Sequence, residues 1–464
     1  MKEAACTPRE AAASMAAFAA GIVAVVAAAC QGADWPQLQH DAARSGYTSD
    51  GPKPPFQHAW NYDFAAKEHD KIHPVVQAII YNGRVFVPSK TGRVYAIDAT
   101  TGERAWKWEK AGPILNSVGC ADGLVIFGSL DGKVYGLKAA DGSKAWDFYG
   151  GIRGFCTAPC IAEDKVFIGA RDGTFCCLDV KTGRRLWATD TGGYVWHTAA
   201  CADGRVFVAN EEIRVLCLDA RDGKILWKSK RLWGFTFRDG NAFVDQGKVV
   251  VRTWSAIDDT DLRIAKASIQ EATDAGHYLR IPDELQDKAL EALRREPELR
   301  QELFVLDAKT GEELYMPVHS GRVSTVDGPA FSVCRDGAGN WYLPIFAGPI
   351  AAPWGSTMAF ARMDPKTGRL SELLWTPKCK PASNDEAHAL SVGGDILYVS
   401  EQEEGEAGIF CAFDLTRPLK LDIPTPQMGS DMEYNAQPLA NPIAIAGKRF
   451  YRITNHTLRC WVGD

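Results

Sequence analysis

The 464-residue chain has no run of basic residues, and its 52 Lys and Arg against 58 Asp and Glu leave a formal net charge of −6. That excludes the clustered positive face on which nucleic-acid binding depends. No nucleophile motif and no phosphate-cradling glycine loop occurs, so the enzyme classes built on them lose their usual signature. Metal-ligand spacing is thin as well. Glu386 and His388, two apart on a strand, face one side together, but no third ligand follows at a fixed distance. An almost wholly apolar run is confined to residues 11–29, where eleven of the residues are alanine.

That run, with Lys2 and Arg9 before it and small residues after it, reads as a targeting segment over residues 1–33. Glu3 and Glu10 offset the positive start, so three readings stay open: a cleaved signal peptide, a lipoprotein leader acylated at Cys30, or a single membrane anchor. All three place the protein outside the cytoplasm, in the periplasm or on the cell envelope. Thirteen cysteines in an exported chain would ordinarily indicate disulfides. The repeat described next suggests instead that most are buried thiols, with Cys156 and Cys160 as a possible pair.

Residues 92–227 repeat one pattern four times. Turn glycines at 102, 142, 183 and 223 are each followed four residues later by Trp106, Trp146, Trp187 and Trp227. Each unit reads strand, Thr-Gly or Asp-Gly turn, strand. A spacing of 40 to 41 residues means stacked supersecondary units, and radially arranged four-stranded units of this length are β-propeller blades. One strand position reads Ala96, Gly136, Cys177, Cys217, Val305 and Cys460, a slot for small side chains expected to pack against the next blade. Cys120 and Cys201 share another slot with Ile80 and Ile161.

The run Ala-x-Asp-x-x-Thr-Gly-x-x-x-Trp at residues 96–106 resembles the pyrroloquinoline-quinone (PQQ) repeat. That repeat is shared by quinoprotein dehydrogenases and by non-catalytic propellers such as the outer-membrane assembly lipoprotein. Residues 35–48 are similar to the lead-in of exported members. The resemblance implies that each tryptophan docks between blades near a neighbour's backbone. Fold does not fix activity, and two readings follow. One is an exported, non-catalytic scaffold that binds a protein partner or small ligand, with no cofactor. The other is a PQQ-dependent oxidoreductase of alcohols or sugars, holding PQQ beside calcium. Members of that second class often carry a vicinal disulfide over the quinone; the adjacent cysteines here, Cys176 and Cys177, fall inside a blade strand.

The expected architecture is an all-β, eight-bladed propeller over residues 56–464, preceded by a lead-in at 34–55. Blades fall at about 73–110, 112–149, 151–189 and 192–230, followed by degenerate ones. Residues 56–64 look like an outer strand without partners, and residues 448–461 like inner strands without an outer one. Pairing the two ends closes the ring. Helical spacing of Leu262, Ala265, Ile269 and Ala272, then Leu285, Ala289 and Ala292, predicts a helical hairpin inserted at about 255–301. Seven blades is the alternative count.

Candidate site residues lie where the innermost strands begin: His73, Asn116, Arg153, Thr157, Trp196, His197, Glu386, His388 and Asn435. Arg153, His73 and His197 could hold an anion, with Trp196 stacking on it. The competing reading is that a first strand must start near water, and polar residues collect there.

Overall fold

The computed structural model describes residues 34–73, 75–234, 236–238, 240–253, 287, 291, 303–317, 333–346, 358–374, 388–401, 410–416, 443–453 and 456–464. They form eight four-stranded sheets, one per expected blade. The first holds Ile79–Tyr81, Arg84–Pro88, Val94–Asp98 and Arg104–Trp108, in order from the axis outward. Ring closure takes the expected form: the outer strand Gln57–Asp63 pairs antiparallel with Thr457–Val462, with Trp60 opposite Cys460. Strands from both ends of the chain therefore share one sheet and complete the eighth blade. The expected helical hairpin lies outside the described residues, apart from Asp287 and Glu291, whose backbone is helical. Among the described residues no helix is long and apolar enough to cross a membrane.

The repeated tryptophan joins each blade to the next. The indole N–H of Trp60, Trp106, Trp146, Trp187 and Trp227 donates to the carbonyl of Ala99, Ala139, Val180, Ala220 and Ala308, respectively, at 2.9–3.3 Å. Each acceptor lies on the following blade, so the apolar ring is buried and its one polar atom satisfied. In the sixth instance Tyr315 takes the position, and its hydroxyl donates to Pro365. The neighbour's turn glycine lies against the ring face: a Cβ at Gly183, which sits at φ +67°, would fall 2.4 Å from Trp146. This contact, as much as the turn's positive φ, demands glycine.

The small-residue slot faces the next blade as expected, and the same ring constrains it further. Ala96, Gly136, Cys177, Cys217 and Cys460 stand directly across the strand pair from Trp106, Trp146, Trp187, Trp227 and Trp60. They stay small because their own blade's tryptophan covers them, and they lie on the face packed against the next blade, as Cys177 does with Val206, Val208 and Leu216. Cys120, Cys156, Cys160, Cys176, Cys177, Cys201, Cys217, Cys334 and Cys460 are free and buried, and burial pushes the Cys176, Cys177 and Cys217 thiols up to about 12. Cys156 and Cys160 do not pair; their thiols point to the carbonyls of Val195 and Ala42.

The lead-in does more than precede the ring. Residues 35–46 wind around the axis and cap the innermost strands blade by blade. The backbone N–H groups of Ile80, Cys120, Cys201, Val244, Arg335 and Val392 donate to the carbonyls of Trp35, Pro36, Ala42, Ala43, Ser45 and Gly46. Ile161 donates to the Gln37 side chain. Seven of the eight inner edges are thereby satisfied, which resolves the edge problem at the axis. Tyr47–Thr48 then joins blade seven as a short parallel strand beside His388–Gly393. At the centre lies Arg44, fully buried, donating to the carbonyls of Ala199, Leu38 and Pro159 at 2.8–3.0 Å.

Candidate functional site

The innermost strands start at one end of the channel, and the lead-in closes the other. Asp34 accepts from the N–H of Asn82, in the turn that leaves the first inner strand, which places the lead-in opposite the mouth. The mouth is built from the connections that enter each inner strand and from the turns between second and third strands.

The structure divides the expected site residues into two groups. Asn116 and Thr157 are buried and occupied locally: the Asn116 amide oxygen accepts from the Ser117 N–H, and the Thr157 hydroxyl meets the Gly169 carbonyl. They brace the wall. His197, 1% exposed and packed on Phe237, lies in the wall with them, and His73, Arg153 and Trp196 form the polar mouth. The Arg171 guanidinium lies 4.7 Å and that of Arg238 5.3 Å from the Trp196 ring centre, two cation–π contacts on one indole. Arg153 donates to the Tyr194 hydroxyl at 2.7 Å and also lies 5.3 Å from that ring. Arg171 and Arg153 are neighbours, because the Arg171 N–H donates to the carbonyl of Gly154.

Both histidines are held neutral. Burial lowers His197 to about 3, and neither of its ring nitrogens has a hydrogen-bond partner. Its ring packs edge-on against Phe237 at 5.3 Å. Burial, then the charges of Lys90 and Arg238, brings His73 to about 3. A neutral imidazole does not attract an anion, so His73 and His197 do not supply the positive charge expected of them. The arginines and Lys90 do. The backbone of His388 lies in the strand His388–Gly393; its side chain, Glu386 and Asn435 lie outside the described residues.

Arg171, Lys90 and Tyr194 were missed by the sequence reading, although a signal existed. Lys90, Leu130, Arg171 and Glu211 occupy one register position, in the turn between second and third strands, and that turn faces the mouth. The mouth's rim is also apolar. Ile152, Tyr194 and Trp233, in three successive blade-to-blade connections, are 83%, 43% and 42% exposed.

Among the described residues no group of three or more His, Cys, Asp or Glu could hold a metal ion. Cys176 and Cys177 lie buried within the strand Thr174–Asp179, opposite Ala188 and Trp187, where they cannot cover a ligand at the mouth.

Comparison with solved structures agrees with the ring. The chain is similar to BamB from Moraxella catarrhalis, at 14% identity and a TM-score of 0.52, covering 88% of this chain and 99% of that one. It is also similar to quinohemoprotein alcohol dehydrogenase from Comamonas testosteroni, at 14% identity and a TM-score of 0.59, covering 93% and 81%. A europium-containing methanol dehydrogenase aligns at 12% identity and a TM-score of 0.56, covering 93% and 98%. At these identities the likeness shows the propeller fold alone. No curated protein matches the sequence. The profile of the PQQ-repeat family described as outer membrane protein assembly factor BamB matches residues 57–154 and 188–330, more than half of the chain, and the protein belongs to that family.

Proposed function

We propose that this protein is a non-catalytic, extracytoplasmic propeller that holds a partner protein against its mouth face. The observation that carries the reading is the rim of Ile152, Tyr194 and Trp233. Large apolar side chains kept in water on consecutive loops mark an interaction surface when they are grouped with polar anchors. Family membership and the apolar leader at residues 11–29 support placement in the cell envelope. The closed far end suits a rigid platform: the lead-in ties seven blades together, so the mouth loops project from a stiff base.

Cell fractionation and photocrosslinking from position 152 test this. A discrete protein adduct in the envelope fraction supports it. Reproducible dye reduction by the purified protein with PQQ and calcium, lost in His197→Ala, overturns it in favour of a quinoprotein oxidoreductase.

A further inference from the structure

We infer that the mouth over blades three to five recognises an acidic peptide segment bearing aliphatic or aromatic side chains. This rests on the scaffold reading above and names the partner's chemistry. Three features of the surface carry it.

The first is a pair of guanidinium groups without a carboxylate partner. Among the described residues neither Arg153 nor Arg171 is paired with a carboxylate. Arg153 bonds to the neutral Tyr194 hydroxyl, and the buried Nε of Arg171 has no hydrogen-bond partner. The nearby carboxylates are already engaged. Asp172 takes the N–H groups of Ile152 and Thr174, Glu211 takes that of Phe237, and Glu212 is bound to Lys228. None of them forms an ion pair with Arg153 or Arg171 among the described residues. The second is preorganisation: Arg171 rests on Trp196, and Arg153 lies against Tyr194. Planar guanidinium groups held this way lose little freedom when a carboxylate docks in the plane of the fork. The third is the apolar rim. Ile152 is 83% exposed beside Arg153, with Tyr194 and Trp233 farther along the same arc.

An occupant that satisfies both must supply carboxylates to Arg153 and Arg171, and apolar side chains to Ile152, Tyr194 and Trp233. A small inorganic anion leaves the rim wet, and an unbranched hydrophobic segment leaves the guanidinium groups unpaired. A peptide alternating the two chemistries meets both demands.

Selection from a phage-displayed random dodecapeptide library on the full chain reads this out, followed by anisotropy with the labelled synthetic consensus. The expected consensus is rich in Asp and Glu interspersed with Leu, Ile or Phe, and its affinity falls as salt rises. Arg153→Gln and Arg171→Gln should each weaken it by about tenfold, as expected for one charge-assisted hydrogen bond. Ile152→Ser should weaken it without changing the salt dependence. Unchanged circular dichroism and Tm would confirm that these surface variants fold. A neutral or basic consensus, no selectable peptide, or an acidic one that binds the Arg153→Gln/Arg171→Gln double variant equally well overturns the inference. Equal arginine-dependent binding to vesicles of anionic phospholipid also overturns it. A failed selection combined with a discrete crosslink from position 152 would sink the acidic-peptide inference alone; PQQ-dependent turnover would sink the scaffold reading itself.

Discussion

Trp146 offers the sharpest test of how one blade holds the next. It is 8% exposed, donates to the Val180 carbonyl at 2.9 Å, and lies between Gly136 of its own sheet and Gly183 of the next. Truncation to alanine removes the ring and strands a buried carbonyl. Large-to-small changes of this kind cost about 3–5 kcal/mol. Trp146→Tyr should cost far less, because Tyr315 already fills the equivalent place with its hydroxyl on Pro365. Gly183→Ala separates two causes. Its φ of +67° alone costs an alanine about 1–2 kcal/mol, and a Cβ 2.4 Å from the ring adds an overpacking cost of about 1–3 kcal/mol. In a Trp146→Ala background the second contribution disappears while the first stays. A double-mutant cycle by urea unfolding should therefore show Gly183→Ala costing less in the truncated protein, by about the overpacking amount. Strict additivity would refute the claim that the ring is what requires glycine. An unchanged Tm in Trp146→Ala would refute the blade-locking account altogether.

Arg44→Met keeps the volume but leaves the carbonyls of Ala199, Leu38 and Pro159 without their donor; at about 1–3 kcal/mol for each unmet buried group, a clear drop in Tm is expected, and an unchanged Tm would show the plug to be passive. His197 contributes an acid-sensitive component. Its folded value of about 3 lies below the unfolded 6.5, so only the unfolded chain takes up the proton as pH falls through that window. Stability is full above 6.5 and declines toward 3, by roughly 2 kcal/mol at pH 5 for this group; denaturation at pH 7.5 and 5 should show a smaller difference in His197→Phe, and an equal difference would reject the assignment. Cys176 and Cys177, buried and pushed up to about 12, should resist an aromatic disulfide reagent at pH 8 until the protein unfolds; prompt labelling of the native protein would contradict their place in the core.

The ring was legible in the sequence because its determinants are local and repeated. A turn glycine and a tryptophan four residues on recur at Gly102 and Trp106, Gly142 and Trp146, Gly183 and Trp187, and each pair performs the same task in the structure. Orphan strands at the two chain ends could be matched for the same reason: every other blade showed what they lacked. The slot of Ala96, Gly136 and Cys177 was legible as small and facing the next blade, but its second cause was not, because cross-strand register decides that Trp106, Trp146 and Trp187 stand opposite.

The partners of the lead-in and the charge states at the mouth lay beyond reach of the sequence. Residues 35–46 carry no repeat, and their partners are backbone groups as distant as Val392 from Gly46; a backbone N–H has no sequence signature. The mouth misled in another way. His73 and His197 are residue types that could carry charge, but burial holds them neutral, while Arg171 and Lys90 reach the site from turns in other parts of their blades. Residue type and spacing determined the blades, because each blade is built by near neighbours. Desolvation and the meeting of distant loops decided which groups are charged at the mouth, and those follow only from the closed ring.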